Sequence, residues 1–155
     1  MIEFDYNLDY KNLLFTPNDT RYRIGRGEQG VLLIKPYTND ICQYWRFKTP
    51  YDAAMSAMRI LHLYHQYRDQ EDFVGMDMAR KFLEMGFTRA RRYANHKSGK
   101  NYDDSGKIRP QETDWAPSTK AKSAKVFYQA RSRVVADPKY KQMRKEWRQR
   151  ENANI

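Results

Sequence analysis

A chain of 155 residues, 40% hydrophobic and 14% aromatic, suits one domain and carries enough large apolar side chains for a core. The acidic start Met1-Ile2-Glu3-Phe4-Asp5 and the lack of any membrane-length apolar run point away from a secretory leader or a membrane anchor and towards the cytoplasm. The formal net charge is +10 and Cys42 is the single cysteine, so an internal disulfide and a cysteine-rich zinc site are excluded.

In chain order, the first structured region expected is a hairpin. Arg21-Tyr22-Arg23-Ile24 and Val31-Leu32-Leu33-Ile34 flank the Gly-rich connection Gly25-Arg26-Gly27-Glu28-Gln29-Gly30, and Pro36 should close the second strand. A further short strand is expected over 41–47, where Ile41, Trp45 and Phe47 alternate in part with polar residues. Thr49-Pro50 then starts a helix that runs to about Arg68, with Ala54, Ala57, Met58, Leu61 and Tyr64 spaced as one buried face. After Asp69-Gln70-Glu71, Asp72 caps a second helix to about His96. Its stripe of Ala79, Phe82, Leu83, Gly86, Ala90, Tyr93 and Ala94 keeps phase, so Gly86 should lie inside the helix against a neighbouring backbone. Residues 98–118 read as a long loop anchored by Trp115, followed by a helix over Thr119–Ala136 and another capped by Asp137-Pro138. The expected architecture is α+β: a small antiparallel hairpin or three-stranded sheet packed on about four helices. The single domain comprises a β-rich part (1–48), two helices (49–97), the loop (98–118) and a basic helical hairpin (119–151).

Several strings are longer and more specific than any periodicity. Phe4-Asp5-Tyr6-Asn7-Leu8-Asp9-Tyr10, Tyr22-Arg23-Ile24-Gly25-Arg26-Gly27-Glu28-Gln29-Gly30-Val31-Leu32, Trp45-Arg46-Phe47-Lys48-Thr49-Pro50, Asp72 through Lys81, and Thr88 through Gly99 resemble an uncharacterised domain-of-unknown-function family of bacteria, fungi and tailed phages. The likeness covers about residues 4–100 well and the last two helices loosely. It implies a shared fold and carries no activity with it.

The Gly25–Gly30 segment matches G-x-G-x-x-G, but a dinucleotide site needs a strand before the motif and a helix after it, whereas Val31–Ile34 reads as another strand. A Gly-rich hairpin over ATP phosphates, as in protein kinases, would have the right context. This chain has no H-R-D catalytic loop, and Asp72-Phe73-Val74-Gly75 is not D-F-G. The plain reading is a bulged turn that needs positive φ angles. His62 and His65 stand three apart on the first helix, but with His96 as the only other histidine they lack the ligands a metal site requires. Cys42, in an apolar run beside Trp45, reads as a core residue. A helix-turn-helix centred on Gly86 would reset the phase of a stripe that does not break. No catalytic residue, cofactor or metal site is assigned.

The basicity is one-sided. Residues 1–79 hold 9 Lys and Arg against 11 Asp and Glu, and residues 80–155 hold 20 against 8, so a net −2 faces a net +12. Such a field attracts phosphate backbones. On the second helix Lys81, Met85, Arg89, Arg92 and His96 fall on one flank, with Arg80 and Arg91 on the other, and Lys97 and Lys100 continue the basic run into the loop. The candidate anion-binding residues are therefore Lys81, Arg89, Arg92, His96, Lys97 and Lys100, together with the basic C-terminal helices, and nucleic acid or another polyanion is the leading partner. Two alternatives remain open: a phosphoryl-handling enzyme using Gly25–Gly30 with Lys35 or Lys48, and a module that docks an acidic protein.

Overall fold

A computed structural model describes residues 4–95 and 119–153, with backbone only for 93–95. Among the described residues five α-helices carry the fold: α1 (Tyr37–Cys42), α2 (Pro50–Asp69), α3 (Phe73–Asn95), α4 (Thr119–Ala136) and α5 (Pro138–Ala153). Among the described residues there is no strand, so the expected hairpin or three-stranded sheet is replaced by an all-helical fold.

The reason lies in where the backbone of 21–36 finds its hydrogen bonds. Gly25, Gly27 and Gly30 do take positive φ (67°, 54° and 80°), as a Gly-rich turn requires. The chain then stays in turns: Gln29 N–H donates to Arg26 O, Val31 N–H to Glu28 O and Leu33 N–H to Gly30 O. Val31 and Ile34 are buried, and Thr38 holds them by accepting from Ile34 N–H (3.0 Å) and donating to Val31 O (2.8 Å). A short apolar run buried on several sides is compatible with strand or turn, and here side chains of the helices supply the bonds a partner strand would have given. The strand expected over 41–47 is likewise absent. Ile41 and Cys42 end α1, and Tyr44 and Trp45 turn back onto their carbonyls.

The helices start where their capping residues predict. Thr49 Oγ1 accepts from Asp52 N–H at 3.0 Å with Pro50 in the first turn, and Asp137 Oδ1 accepts from Lys139 N–H at 3.0 Å at the start of α5. At the start of α3, Asp72 accepts from Gly75 N–H (3.4 Å) and Asn18 N–H (3.1 Å), while Asn18 Oδ1 accepts from Phe73 N–H (2.8 Å). This exchange ties the N-terminal arm to the α2–α3 corner. Asn18 holds it with a positive φ of 54°, which Asn tolerates better than most residues.

Helix α3 is the axis of the molecule, packing on α1, α2, α4 and α5, and α2 also packs on α4. Every residue from Asp72 to Leu83 is buried. The helix runs unbroken through Gly86, which excludes a helix-turn-helix there. A Cβ at Gly86 would stand 2.6 Å from Phe127 Cδ1, so the glycine lets α4 approach, with a ring rather than backbone at the contact. In α2 the buried face is Ala53, Ser56, Ala57, Ile60 and Tyr64. Ala54 and Met58, expected inside, are exposed, a rotation of about one residue from the predicted stripe.

Candidate anion-binding groove

Asp77 is fully buried on α3 and receives the hydroxyls of Tyr22 and Tyr140 (the latter at 2.7 Å) and the Arg80 guanidinium through Nε (3.0 Å) and a terminal nitrogen (2.9 Å). Burial opposes its ionisation, but Arg80, Lys81 and the two hydroxyls outweigh that and hold the carboxyl below its ordinary range. Burial and the Asp77 charge push both tyrosines up, so they remain donors.

The cations around Asp77 reach onward to the Gly-rich segment. Arg80 donates to Gly27 O at 2.6 Å, Lys81 Nζ to Gln29 O at 2.7 Å and Arg23 O at 3.3 Å, and Arg148 of α5 to Gly25 O at 2.8 Å. Trp147 Nε1 donates to Tyr22 O (3.1 Å), and Glu151 accepts from Ile24 N–H (3.2 Å). Residues 22–29 are thus clamped between α3 and α5 by side chains. A phosphate cradle presents free amides to its ligand. This loop instead turns carbonyls towards cations, and Arg26 N–H is taken by Gln29 Oε1 (2.8 Å). Lys48 lies elsewhere, beside Trp45 and Phe47.

On the outer side of this clamp lies a groove of about 560 Å³ between α4 and α5. Its lining includes Arg80, Arg131, Lys141, Arg144, Lys145 and Arg148 and no carboxylate. Arg80 and Tyr140 form its base and are fixed by Asp77. Arg131 is held by Glu84 at 2.5 Å. Lys141, Arg144 and Lys145 have no acidic partner among the described residues. They recur at three- and four-residue spacing on α5, so the helix presents them as one row.

The residues singled out in the sequence are scattered by this arrangement. Lys81 is fully buried, 4.7 Å from the Tyr22 ring centre and 5.3 Å from that of Phe4, and serves the clamp. Desolvation brings its ammonium down to about 7, against the pull of Asp77. It shares no exposed flank with Arg89 and Arg92, because α3 at this level is enclosed on all sides. Arg89 and Arg92 are half-buried and lie within electrostatic reach of Glu28, whose carboxyl is raised by burial and lowered by Thr88, Arg89 and Arg92. His96, Lys97 and Lys100, and the loop with Trp115, lie outside the described residues. His62 and His65 line a shallow groove between α2 and α4 with Met58 and Arg133, and no cluster of three metal-ligating side chains occurs among the described residues. The α5 row was present in the sequence only as general basicity. Its signal is the spacing Lys141, Arg144, Lys145 on the flank beside the buried Tyr140, Trp147 and Glu151.

A family model described as a domain of unknown function, DUF4385, matches residues 5–150. The chain belongs to this family. The match spans both the N-terminal segment and the helices α4 and α5 that build the groove, so all of the clamp and groove but Glu151 and Asn152 lies within the DUF4385 domain. Comparison with curated proteins and with solved structures gives no match. Among the described residues of this DUF4385 member, no helix is long and apolar enough to cross a membrane.

Proposed function

We propose that this DUF4385 domain binds nucleic acid through its phosphates, without catalysis, in the groove between α4 and α5. The observation that carries the reading is a concave surface lined by six cations and no carboxylate, with three of those cations unpaired by acids among the described residues. Like charges gathered in one groove repel each other, and an anionic ligand relieves that cost. Arginine forks match phosphate oxygens bidentately, and lysines add mobile point charges. The cations of the lining outnumber its amides, Gln149 and Asn152, so the expected binding draws mainly on phosphates and depends weakly on sequence. Arg89 and Arg92 on α3 are secondary contacts in this reading, weakened by the nearby Glu28.

Salt dependence tests the reading. Each phosphate neutralised on a duplex contributes a slope of about −0.9 in log affinity against log salt, so four or five contacts give a slope near −4. A Lys141→Ala, Lys145→Ala double variant should flatten it by roughly two and weaken all sequences alike. Absence of any gel shift with duplex or single-stranded oligonucleotides at low salt would remove nucleic acid as the ligand and leave an acidic protein as the partner to seek.

A further inference from the structure

The basic groove does not stop at Arg131. On α4, Tyr128, Arg131 and Val135 are spaced three and four apart and share one face, and the last two line the groove. Tyr128 is exposed (49%). Its ring lies 5.3 Å from that of Phe87 on α3, inclined by 54°, and the Arg91 guanidinium stands 5.7 Å from the Phe87 ring centre. Glu84 and Arg131, the ion pair at the groove edge, are each one helical turn from Phe87 and Tyr128 respectively. The aromatic pair therefore sits about 5 Å further along the α3–α4 seam, the rise of one turn.

Tyr128 thus keeps half its surface in water beside the cationic groove, while Phe127, on the core face one residue earlier, is fully buried. We infer that the Tyr128–Phe87 pair is a stacking platform for an unpaired base, and that the preferred ligand of the groove is a single-stranded nucleic acid. This rests on the phosphate-binding reading above and narrows it. A single strand laid along Lys141, Arg144 and Lys145 can turn a base outward onto Tyr128, whereas in a duplex the faces of the bases are already stacked on one another. Stacking on an aromatic side chain tolerates any base, which agrees with a lining dominated by cations.

The test compares an oligothymidylate with linear polyphosphate, which has the charge and no bases. Tyr128→Ala should weaken the oligothymidylate by roughly fivefold to a hundredfold and leave its salt slope and the affinity for polyphosphate unchanged. Tyr128→Phe should restore stacking, since the ring is kept. Because Tyr128 is exposed, both variants should fold, which circular dichroism would verify. Equal loss for both ligands, or no loss for the oligothymidylate, overturns the platform while the groove reading stands. If the unmodified protein binds neither ligand, the groove reading itself falls, and the platform with it.

Discussion

Two sets of cations on adjoining surfaces have opposite fates. Arg80, Lys81 and Arg148 on α3 and α5 donate to the carbonyls of Arg23, Gly25, Gly27 and Gln29 and so hold the chain together, even where Arg80 and Arg148 border the groove. Lys141, Arg144 and Lys145 face the groove and answer to no carboxylate among the described residues. The difference arises from the first segment of the chain, which has no sheet to satisfy its backbone and must borrow donors from the helices. A count of basic residues therefore overstates the charge available to a ligand. What remains after the clamp is served is the row on α5.

The clamp is the place where a substitution should do the most damage. Asp77→Ala would leave Arg80 and Lys81 buried without their counter-charge and Tyr22 and Tyr140 without an acceptor. Removing one partner of a buried ion pair typically costs about 3–5 kcal/mol. Urea unfolding should show a loss of that size. Alanine at Lys145, on the groove side, should change the midpoint little, since exposed positions away from partners usually move stability by under about 0.5 kcal/mol. Comparable losses from both variants would erase the distinction between clamp and groove.

Next in size is the contact that lets α4 approach α3. At Gly86 even a methyl group meets Phe127 at 2.6 Å, against an ordinary contact of 3.4 Å or more, so Gly86→Ala opposes its gain in helix propensity of about 1 kcal/mol with a clash. Gly86→Val adds further atoms at the same place and should destabilise by roughly 1–3 kcal/mol, as overpacking does. A melting temperature unchanged in Gly86→Val would mean that α4 can slide away from α3. The Arg131–Glu84 pair at the edge of the groove would then be loosely placed too.

What could be read in the sequence follows this same division. Thr49-Pro50, Asp72 and Asp137-Pro138 announce helix starts because a cap is a local event. The unbroken stripe across Gly86 is legible because the period of a helix extends over many residues. The segment 21–36 is misread because Val31–Ile34 has strand composition, and composition does not record that Thr38 will bond Val31 and Ile34 or that Lys81, Arg80 and Arg148 will take the carbonyls of residues 23–29. Those cations lie 50 to 120 positions away in the chain. Lys81 is misplaced for the mirror-image reason: on a helical wheel a lysine beside an apolar stripe looks like a flank, and only the packing on every side of α3 shows that it has none. The positive φ of the three glycines was visible; the partners of their carbonyls were not.

The smallest change expected at neutral pH, and the one that most sharpens the contrast, concerns the proton on Lys81. Its ammonium is brought from the ordinary 10.5 down to about 7 by burial, with Arg80 and Arg148 adding repulsion and Asp77 and Glu151 opposing it. Between about pH 7 and 10 the unfolded chain keeps that proton while the folded chain has lost much of it. The unfolded state then binds more protons, and stability rises with pH. Tyr22 and Tyr140, raised in the folded state, work in the other direction only above about 10, where the unfolded chain begins to lose their protons. Asp77, held low, is charged throughout the window, and the raised Glu151 exerts its effect from its ordinary 4.5 upwards, mostly below it. The urea midpoint of the unmodified protein should therefore climb from about pH 7 to about 9.5. In Lys81→Met most of the climb should vanish, since the thioether has no proton to lose and the remainder comes from Lys120, whose ammonium burial also lowers, while the carbonyls of Arg23 and Gln29 lose their donor at every pH. The groove cations Lys141 and Lys145 are exposed, so Lys141→Met or Lys145→Met should leave the climb intact. A level profile in the unmodified protein would show that Lys81 keeps its charge inside the fold and that the clamp is cationic at every pH in the window.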